Sequence, residues 1–187
     1  GFSACSDKND SSSRDNSTTN HTTIPPTIVN GHTLPPEPDK EENDKTLLGI
    51  DSNNNGVRDD VERWIYEEYK DKHPIYIDIA MQIAKASQNI LEHRNMSTIE
   101  AKKLHQNETR GLTCESYFAV YAKYFNKKIL VSDDIGTGYL ERFYFNTEDR
   151  KNIYDKYAEL LSGDSYSTPE VDQNMTSYCD FDTSKYE

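Results

Sequence analysis

Apolar residues recur about every 3.6 positions along most of the chain after Val57, and this periodicity constrains the fold more than any other feature. Nothing in this part alternates convincingly with a period of two, so strands are not expected. Because each apolar stripe must be buried against another, the pattern predicts an all-α bundle of four or five helices. The predicted helices run from 58 to 71, from 73 to 93, from a capping box at Ser97 and Glu100 to 125 with a bend at Gly111, from 139 to 145, and from a cap at Asn146 to Gly163.

The stretch 6–45 has a different character, because it is rich in Ser, Thr, Asn and Asp and carries proline pairs at 25–26 and 35–36. Such a segment buries too little apolar surface to offset the entropy lost when it becomes ordered. The sequence therefore predicts a disordered tether over 6–45 and one folded helical domain over 46–187.

The chain is strongly acidic. Its 187 residues include 33 acidic and 21 basic side chains, which give a formal net charge of −12. This charge opposes nucleic-acid binding, which depends on Lys and Arg contacts with phosphates. No run of about 18 apolar residues occurs, so a transmembrane helix is not expected.

The first residues, Gly1-Phe2-Ser3-Ala4-Cys5-Ser6, place two small residues before a cysteine and a polar stretch after it. This pattern resembles the lipobox of bacterial lipoproteins, although Phe2 stands where leucine is usual. The resemblance implies that 1–5 is the remainder of a signal segment and that Cys5 carries the lipid. It also implies export to the bacterial periplasm or cell surface, with the lipid as the only membrane contact, for instance at the outer membrane. The alternative is that Cys5 is an incidental cysteine near the first residue and carries no lipid.

The chain has three cysteines, and an odd number in an exported protein requires an explanation. Lipidation of Cys5 would supply one and leave Cys114 and Cys179 to form a disulfide. On the chain-entropy model, closing that loop stabilises the fold by roughly 4 kcal/mol. It would also tie down the segment 163–187, which has little apolar content. Two buried thiols in a reducing cell are the alternative.

The strongest local signal is the stretch DSNNNGVRDDVE over 51–62. Oxygen-bearing side chains recur at alternate positions, and a glycine at the sixth position permits a sharp turn. Ca²⁺ prefers about six to eight oxygen ligands, which such a loop supplies. The expected ligands are Asp51, Asn53, Asn55, the carbonyl of Val57, Asp59 through a water molecule, and both carboxylate oxygens of Glu62.

This spacing resembles the EF-hand loop and also the DxDxDG loops of dockerins and thrombospondin type 3 repeats. Arg58 departs from the EF-hand pattern, because paired EF-hands place an aliphatic residue there that contacts a second loop. No second loop occurs in the sequence, and 41–50 show little periodicity, so the entering helix is expected to be weak or missing. The resemblance implies a solitary structural Ca²⁺ site of modest affinity. An Asn-rich turn that caps the next helix without a metal is the alternative.

No set of catalytic residues stands out in the sequence. The five histidines form no HExxH motif, and no CxxC, GxSxG or glycine-rich phosphate loop occurs. Carboxylate pairs such as Asp133 with Asp134 and Glu141 with Asp149 can be nominated, but such pairs are typical of a solvated acidic surface. A binding protein is therefore expected rather than an enzyme.

Three of the thirteen tyrosines, Tyr117, Tyr121 and Tyr124, follow one another at helical spacing beside an apolar stripe. One interpretation is that they widen the core face and keep their hydroxyls at its wet edge. The other is that they form a surface that binds another protein, since tyrosine is frequent among interface anchors.

These features favour an exported, lipid-anchored, calcium-binding helical protein that acts as a protein-binding module. Its partner could be a basic secreted protein, for which the chain would be an inhibitor or immunity-like partner. Two alternatives remain at this point. One is a small cell-envelope hydrolase that uses acidic residues between 139 and 149, and the other is a calcium-dependent surface adhesin domain.

Overall fold

A computed structural model describes residues 25–125, 128–129, 131–132, 134–136, 138–167 and 169–186. Over these residues the chain forms a bundle of helices, which confirms the predicted all-α class. The helices are α1 (Lys40–Asp44), α2 (Asp59–Glu68), α3 (Ile75–Glu92), α4 (Thr98–Ser116), α5 (Tyr139–Tyr144) and α6 (Glu148–Leu161). One small antiparallel hairpin, which was not predicted, pairs β1 (Ile28–Val29) with β2 (His32–Thr33), with Ile28 opposite Thr33.

Helix α3 is the centre of the bundle and contacts α2, α4, α5 and α6. Thirteen of its 18 residues are buried, so the helix is enclosed on most of its sides. Ile75, Ile79 and Ile90 are completely buried and continue the inner face that the sequence periodicity predicted. Among the residues that the structure describes, no helix is both long and apolar enough to cross a membrane.

Helix α4 begins at the predicted capping box. The Ser97 hydroxyl accepts a hydrogen bond from the Glu100 backbone N–H at 3.2 Å, and the Glu100 carboxylate accepts one from the Ser97 N–H at 2.7 Å. The helix runs unbroken through Gly111, where a Cβ atom would lie 2.9 Å from Cγ1 of Ile83. The α-geometry changes later, where one π-helical turn (Tyr117–Tyr121) leads into a 3₁₀ turn (Ala122–Phe125).

The prediction that a disordered tether extends to residue 45 is wrong for residues 25–45. This stretch contains the hairpin and α1, and Leu34 and Asn43 are buried with 5% and 2% of their surface exposed. The ring of His32 stacks on Tyr66 at 4.7 Å. The tertiary contacts with α2 therefore supply the burial that the local composition lacks. Residues 6–24 and the lipobox-like start with Cys5 lie outside the described residues.

The C-terminal segment returns along α3 and α4 as two 3₁₀ turns (Gln173–Tyr178 and Thr183–Tyr186). The predicted disulfide joins Cys114 of α4 to Cys179 in this segment. The side chain of Gln82 in α3 binds the backbone on both sides of Cys179. Its Nε2 donates to the Tyr178 carbonyl, and its Oε1 accepts from the Asp180 N–H. The segment is thus fixed by a covalent bond, by polar contacts and by Met175, which is 3% exposed and belongs to the core.

Candidate metal centre

The backbone of the loop over 51–62 is wrapped around the carboxylate of Asp51. The two oxygens of Asp51 accept hydrogen bonds from the N–H groups of Asn55 at 3.2 Å and Gly56 at 2.9 Å. Asn54 and Gly56 have φ angles of 53° and 84°, in the left-handed region that favours glycine. This turn directs the alternate side chains of the loop to one side.

Three of the predicted ligands meet at one point. Oε2 of Glu62 lies 3.2 Å from Nδ2 of Asn53 and 2.8 Å from Nδ2 of Asn55. Rotating either amide by half a turn would present its oxygen to a cation, at the cost of the hydrogen bond that this oxygen now accepts from the N–H of Asn55 or Val57. The third, fifth and twelfth positions of the loop are therefore already gathered around a common centre.

Two carboxylates of the loop are almost completely buried. Glu62 exposes 2% of its surface and Asp59 exposes 1%. Within the described part of the chain, both carboxylates accept hydrogen bonds from neutral groups only. Glu62 accepts from side-chain amides and from the Tyr66 hydroxyl, and Asp59 accepts from the Ser52 N–H. A buried carboxylate without a cationic partner is costly, and a divalent cation would offset that cost. The donor set therefore fits Ca²⁺.

Asp59 acts on the loop backbone rather than at the meeting point of the other side chains. Its Oδ1 accepts a hydrogen bond from the Ser52 N–H at 3.0 Å, and its own N–H donates to the Ile50 carbonyl at 2.8 Å. These two bonds tie the start of α2 to the start of the loop. The role of Asp59 as a ligand through a water molecule stays a prediction.

Val57 anchors the loop to the core. Its side chain is completely buried, and its N–H donates to Oδ1 of Asn55 at 2.9 Å. Its carbonyl stays a predicted ligand. In the described ranges, no cluster of three or more His, Cys, Asp or Glu side chains is placed to hold a metal. A site in this loop would thus depend on amide and carbonyl oxygens as well as carboxylates.

Arg58, which breaks the EF-hand pattern, is completely buried and links the loop to α5. Its Nε donates to Asp60 at 2.6 Å, and its two terminal nitrogens donate to the carbonyls of Phe143 and Tyr144 at 3.1 and 3.2 Å. Its guanidinium also lies 5.1 Å from the centre of the Tyr144 ring. The position that contacts a second loop in paired EF-hands here contacts another part of the same bundle.

A second buried arginine, Arg150 of α6, holds the turn that follows α1. Its guanidinium donates to the carbonyls of Asn43, Thr46 and Leu47 at 2.6 to 3.0 Å. It also pairs with Asp44 at 3.1 Å and with the side chain of Asn146 at 2.7 Å. Burial lowers the pKa of Arg150, and the neighbouring positive charge of Arg58 adds to that effect.

Asn43 joins the two arginine clusters. Its Nδ2 donates to Asp60 at 3.0 Å, and its Oδ1 accepts from the Ile50 N–H, directly before the loop, at 2.9 Å. Because Asn146 is engaged by Arg150, the cap of α6 is Thr147 and the predicted cap at Asn146 is wrong. Sequence reasoning missed this network, although Arg150 lies on the same helical stripe as Ile153 and Tyr157.

The three predicted interface tyrosines do not share an environment. Tyr117 is completely buried, Tyr121 is half-buried, and Tyr124 is 69% exposed. The π-helical turn over 117–121 shifts the register, so spacing counted for an α-helix no longer places them on one face. Tyr117 therefore belongs to the core, and only the end of the stripe is exposed.

The carboxylates nominated as catalytic pairs lie at the surface where the structure describes them. Asp134 and Asp149 are both exposed. Asp133 and the side chain of Glu141 lie outside the described residues. No described contact favours these groups as a site.

No family model, no curated protein and no solved structure matches this chain.

Proposed function

We propose that this chain is an exported, lipid-tethered domain that binds one structural Ca²⁺ ion and acts by binding another protein. The main support for the proposed calcium site is the convergence of Asn53, Asn55 and Glu62 in a loop wrapped around Asp51. Those four side chains and the Val57 carbonyl would hold the ion. The ion would supply the positive charge that balances the buried carboxylates.

The position of the loop suggests a structural role for the ion. The loop connects α1 to α2, and Arg58 within it reaches the carbonyls at the end of α5. Fixing the loop therefore fixes the point where three helices meet. The role is to stabilise one arrangement of the bundle.

Calcium titration by calorimetry tests this site. The full chain, freed of divalent ions with a chelator, should bind one Ca²⁺ per molecule. Glu62→Gln should weaken that binding at least about tenfold, because it removes a charged ligand with two oxygens. Glu92→Gln, an exposed change at the end of α3, should leave it unchanged. Equal binding by both variants, or no binding by the wild type, would refute the site.

The exposed end of the tyrosine stripe is the surface that we assign to a protein partner. Tyr124 is 69% exposed and Val120 is 40% exposed, at the end of the helical run that begins with α4. Exposed aromatic and apolar side chains of this kind anchor protein interfaces. The net charge of −12 favours a basic partner.

A matched pair of variants tests this surface. Tyr124→Ala and Ile99→Ala both truncate a side chain that is 69% exposed, at opposite ends of the same helical run. A partner captured by crosslinking from cell-envelope extract should be lost with Tyr124→Ala and kept with Ile99→Ala. Retention by both variants would place the interface elsewhere.

Export and lipid attachment rest on the sequence around Cys5. The disulfide between Cys114 and Cys179 supports them, because such bonds persist in oxidising compartments. Cys5→Ser should move the expressed protein from the membrane fraction to the soluble fraction, and an acylated Cys5 peptide should be found by mass spectrometry in the wild type only. An unmodified Cys5 in the wild type would contradict lipid anchoring.

A further inference from the structure

A cleft of about 520 Å³ lies between α4 and the C-terminal segment, away from the calcium loop. Helix α4 contributes His105, Thr109 and Arg110, and the C-terminal segment contributes Tyr166, Ser167 and Tyr178. The disulfide at Cys179 directly follows Tyr178, so the Tyr178 side of the cleft is covalently held against α4.

The lining of this cleft has an unusual charge for this chain. Among the described residues that line it, none is Asp or Glu, although the chain contains 33 acidic residues. The lining instead includes Arg110 and His105, together with hydroxyl and amide groups. Because the described lining itself holds no carboxylate, an anion meets less repulsion there than at a surface lined by Asp and Glu.

The walls of the cleft present flat rings. The His105 and Tyr166 rings lie 4.3 Å apart at an angle of 62°, and the Arg110 guanidinium lies 5.5 Å from the centre of the Tyr178 ring. Rings and guanidinium planes offer apolar faces on which a planar ligand can pack.

Arg110 is exposed, and in the described part of the chain its guanidinium donates one hydrogen bond to the protein. One of its N–H groups donates to the Ser177 carbonyl at 3.1 Å, which positions the guanidinium at the cleft. A guanidinium has five N–H donors in a planar fork that matches a carboxylate. The nearby Glu108 is not part of the lining; its carboxylate lies 3.6 Å from Nδ1 of His105 and accepts a hydrogen bond from the buried Tyr157 hydroxyl of α6 at 2.8 Å.

We propose that this cleft binds a small aromatic carboxylate. The carboxylate group pairs with Arg110, and the ring packs against the Tyr166 and Tyr178 rings. His105 and the Thr109 hydroxyl complete the polar side of the site. The proposal is independent of the calcium loop and of the protein-binding surface, so its failure would leave both of them intact.

The test compares 2-naphthoate with its neutral analogue 2-naphthamide in NMR titrations of the full oxidised chain. The naphthoate should bind saturably and shift the amide signals of 105–110 and 166–178. The naphthamide should bind at least about tenfold more weakly, because it lacks the charge that pairs with arginine. Equal affinities, or shifts spread over other surfaces, would overturn the proposal.

Substitutions in the wall of the cleft test whether naphthoate binds there. Arg110→Gln should weaken naphthoate binding about tenfold, whereas Arg94→Gln, an exposed change of the same kind beyond the end of α3, should not alter it. Tyr166→Leu, which removes one ring from the wall of the cleft, should weaken the binding of both ligands to the same extent. This variant provides the test if Arg110→Gln does not fold. Wild-type affinity in a folded Arg110→Gln or Tyr166→Leu protein would contradict the proposal.

Discussion

At the scale of single residues, two buried arginines connect the polar groups in the interior of this domain by hydrogen bonds. Arg58 and Arg150 are both completely buried, and between them they bind five carbonyls from two segments of the chain, 43–47 and 143–144. A guanidinium suits this role because its five donors can satisfy several carbonyl oxygens at once. The arginine that weakens the EF-hand resemblance is therefore the residue that attaches the loop to the bundle.

The first prediction concerns Arg58. Arg58→Met keeps most of the side-chain volume but removes the donors for Asp60 and for the Phe143 and Tyr144 carbonyls. Leaving buried polar groups unpaired should lower the free energy of unfolding by about 3 kcal/mol, measured by urea denaturation. Arg94→Met at the exposed surface should change it by less than about 0.5 kcal/mol. Similar losses in the two variants would show that the Arg58 contacts contribute nothing specific.

The spacing of residues in the loop and helices allowed much of the local structure to be predicted. The capping box at Ser97, the inner face of α3 and the turn at Gly56 all follow from local chemistry that involves neighbours in sequence. The convergence of Asn53, Asn55 and Glu62 follows from the same local spacing.

Elements that depend on distant contacts could not be predicted in this way. The hairpin and α1 within 25–45 exist because Leu34 and Asn43 are buried by other parts of the fold. The π-helical turn at Tyr117 changes the register without any signal in the apolar pattern. The arginine network joins residues about a hundred positions apart, such as Arg150 and Asn43, and no local spacing reveals such a pair.

The second prediction concerns the start of α4. The hydrogen bonds from the Ser97 backbone N–H and hydroxyl hold the pKa of Glu100 below its ordinary value of 4.5. A lowered pKa in the folded state means that the carboxylate stabilises the fold above pH 4.5 and that this contribution is lost as the pH falls through the lowered value.

Glu100→Gln should therefore make stability less sensitive to acid. Between pH 5 and pH 3, the urea midpoint of this variant should fall less than that of the wild type. Glu159→Gln, another exposed glutamate, supplies the control. Parallel curves for all three proteins would show that the capping carboxylate does not contribute to the pH dependence.

At the scale of the whole molecule, the covalent link and the loop act at different places in the bundle. The disulfide and Gln82 fix the C-terminal segment against α3 and α4. The loop and the arginine network join α1, α2, α5 and α6. The two devices add to the stability that the buried apolar core provides.

The third prediction concerns the disulfide. Replacing Cys114 and Cys179 by serine should lower the free energy of unfolding by roughly 3 to 4 kcal/mol, because the unfolded chain regains the entropy of the closed loop. Chymotrypsin should then cut at Tyr166 and Tyr178 sooner than in the oxidised wild type. Identical digestion patterns in the two proteins would contradict the role assigned to the bond.

The most direct test of the whole account is the thermal unfolding of the wild-type chain in saturating Ca²⁺ and in EGTA, with Asp51→Ala beside it. Binding of the ion to the folded state should raise the wild-type Tm by about 5 °C or more. The Asp51→Ala protein should melt at the same temperature in both conditions, because the residue that organises the loop is gone. A wild-type melting curve that is the same in Ca²⁺ and in EGTA would contradict the structural calcium site.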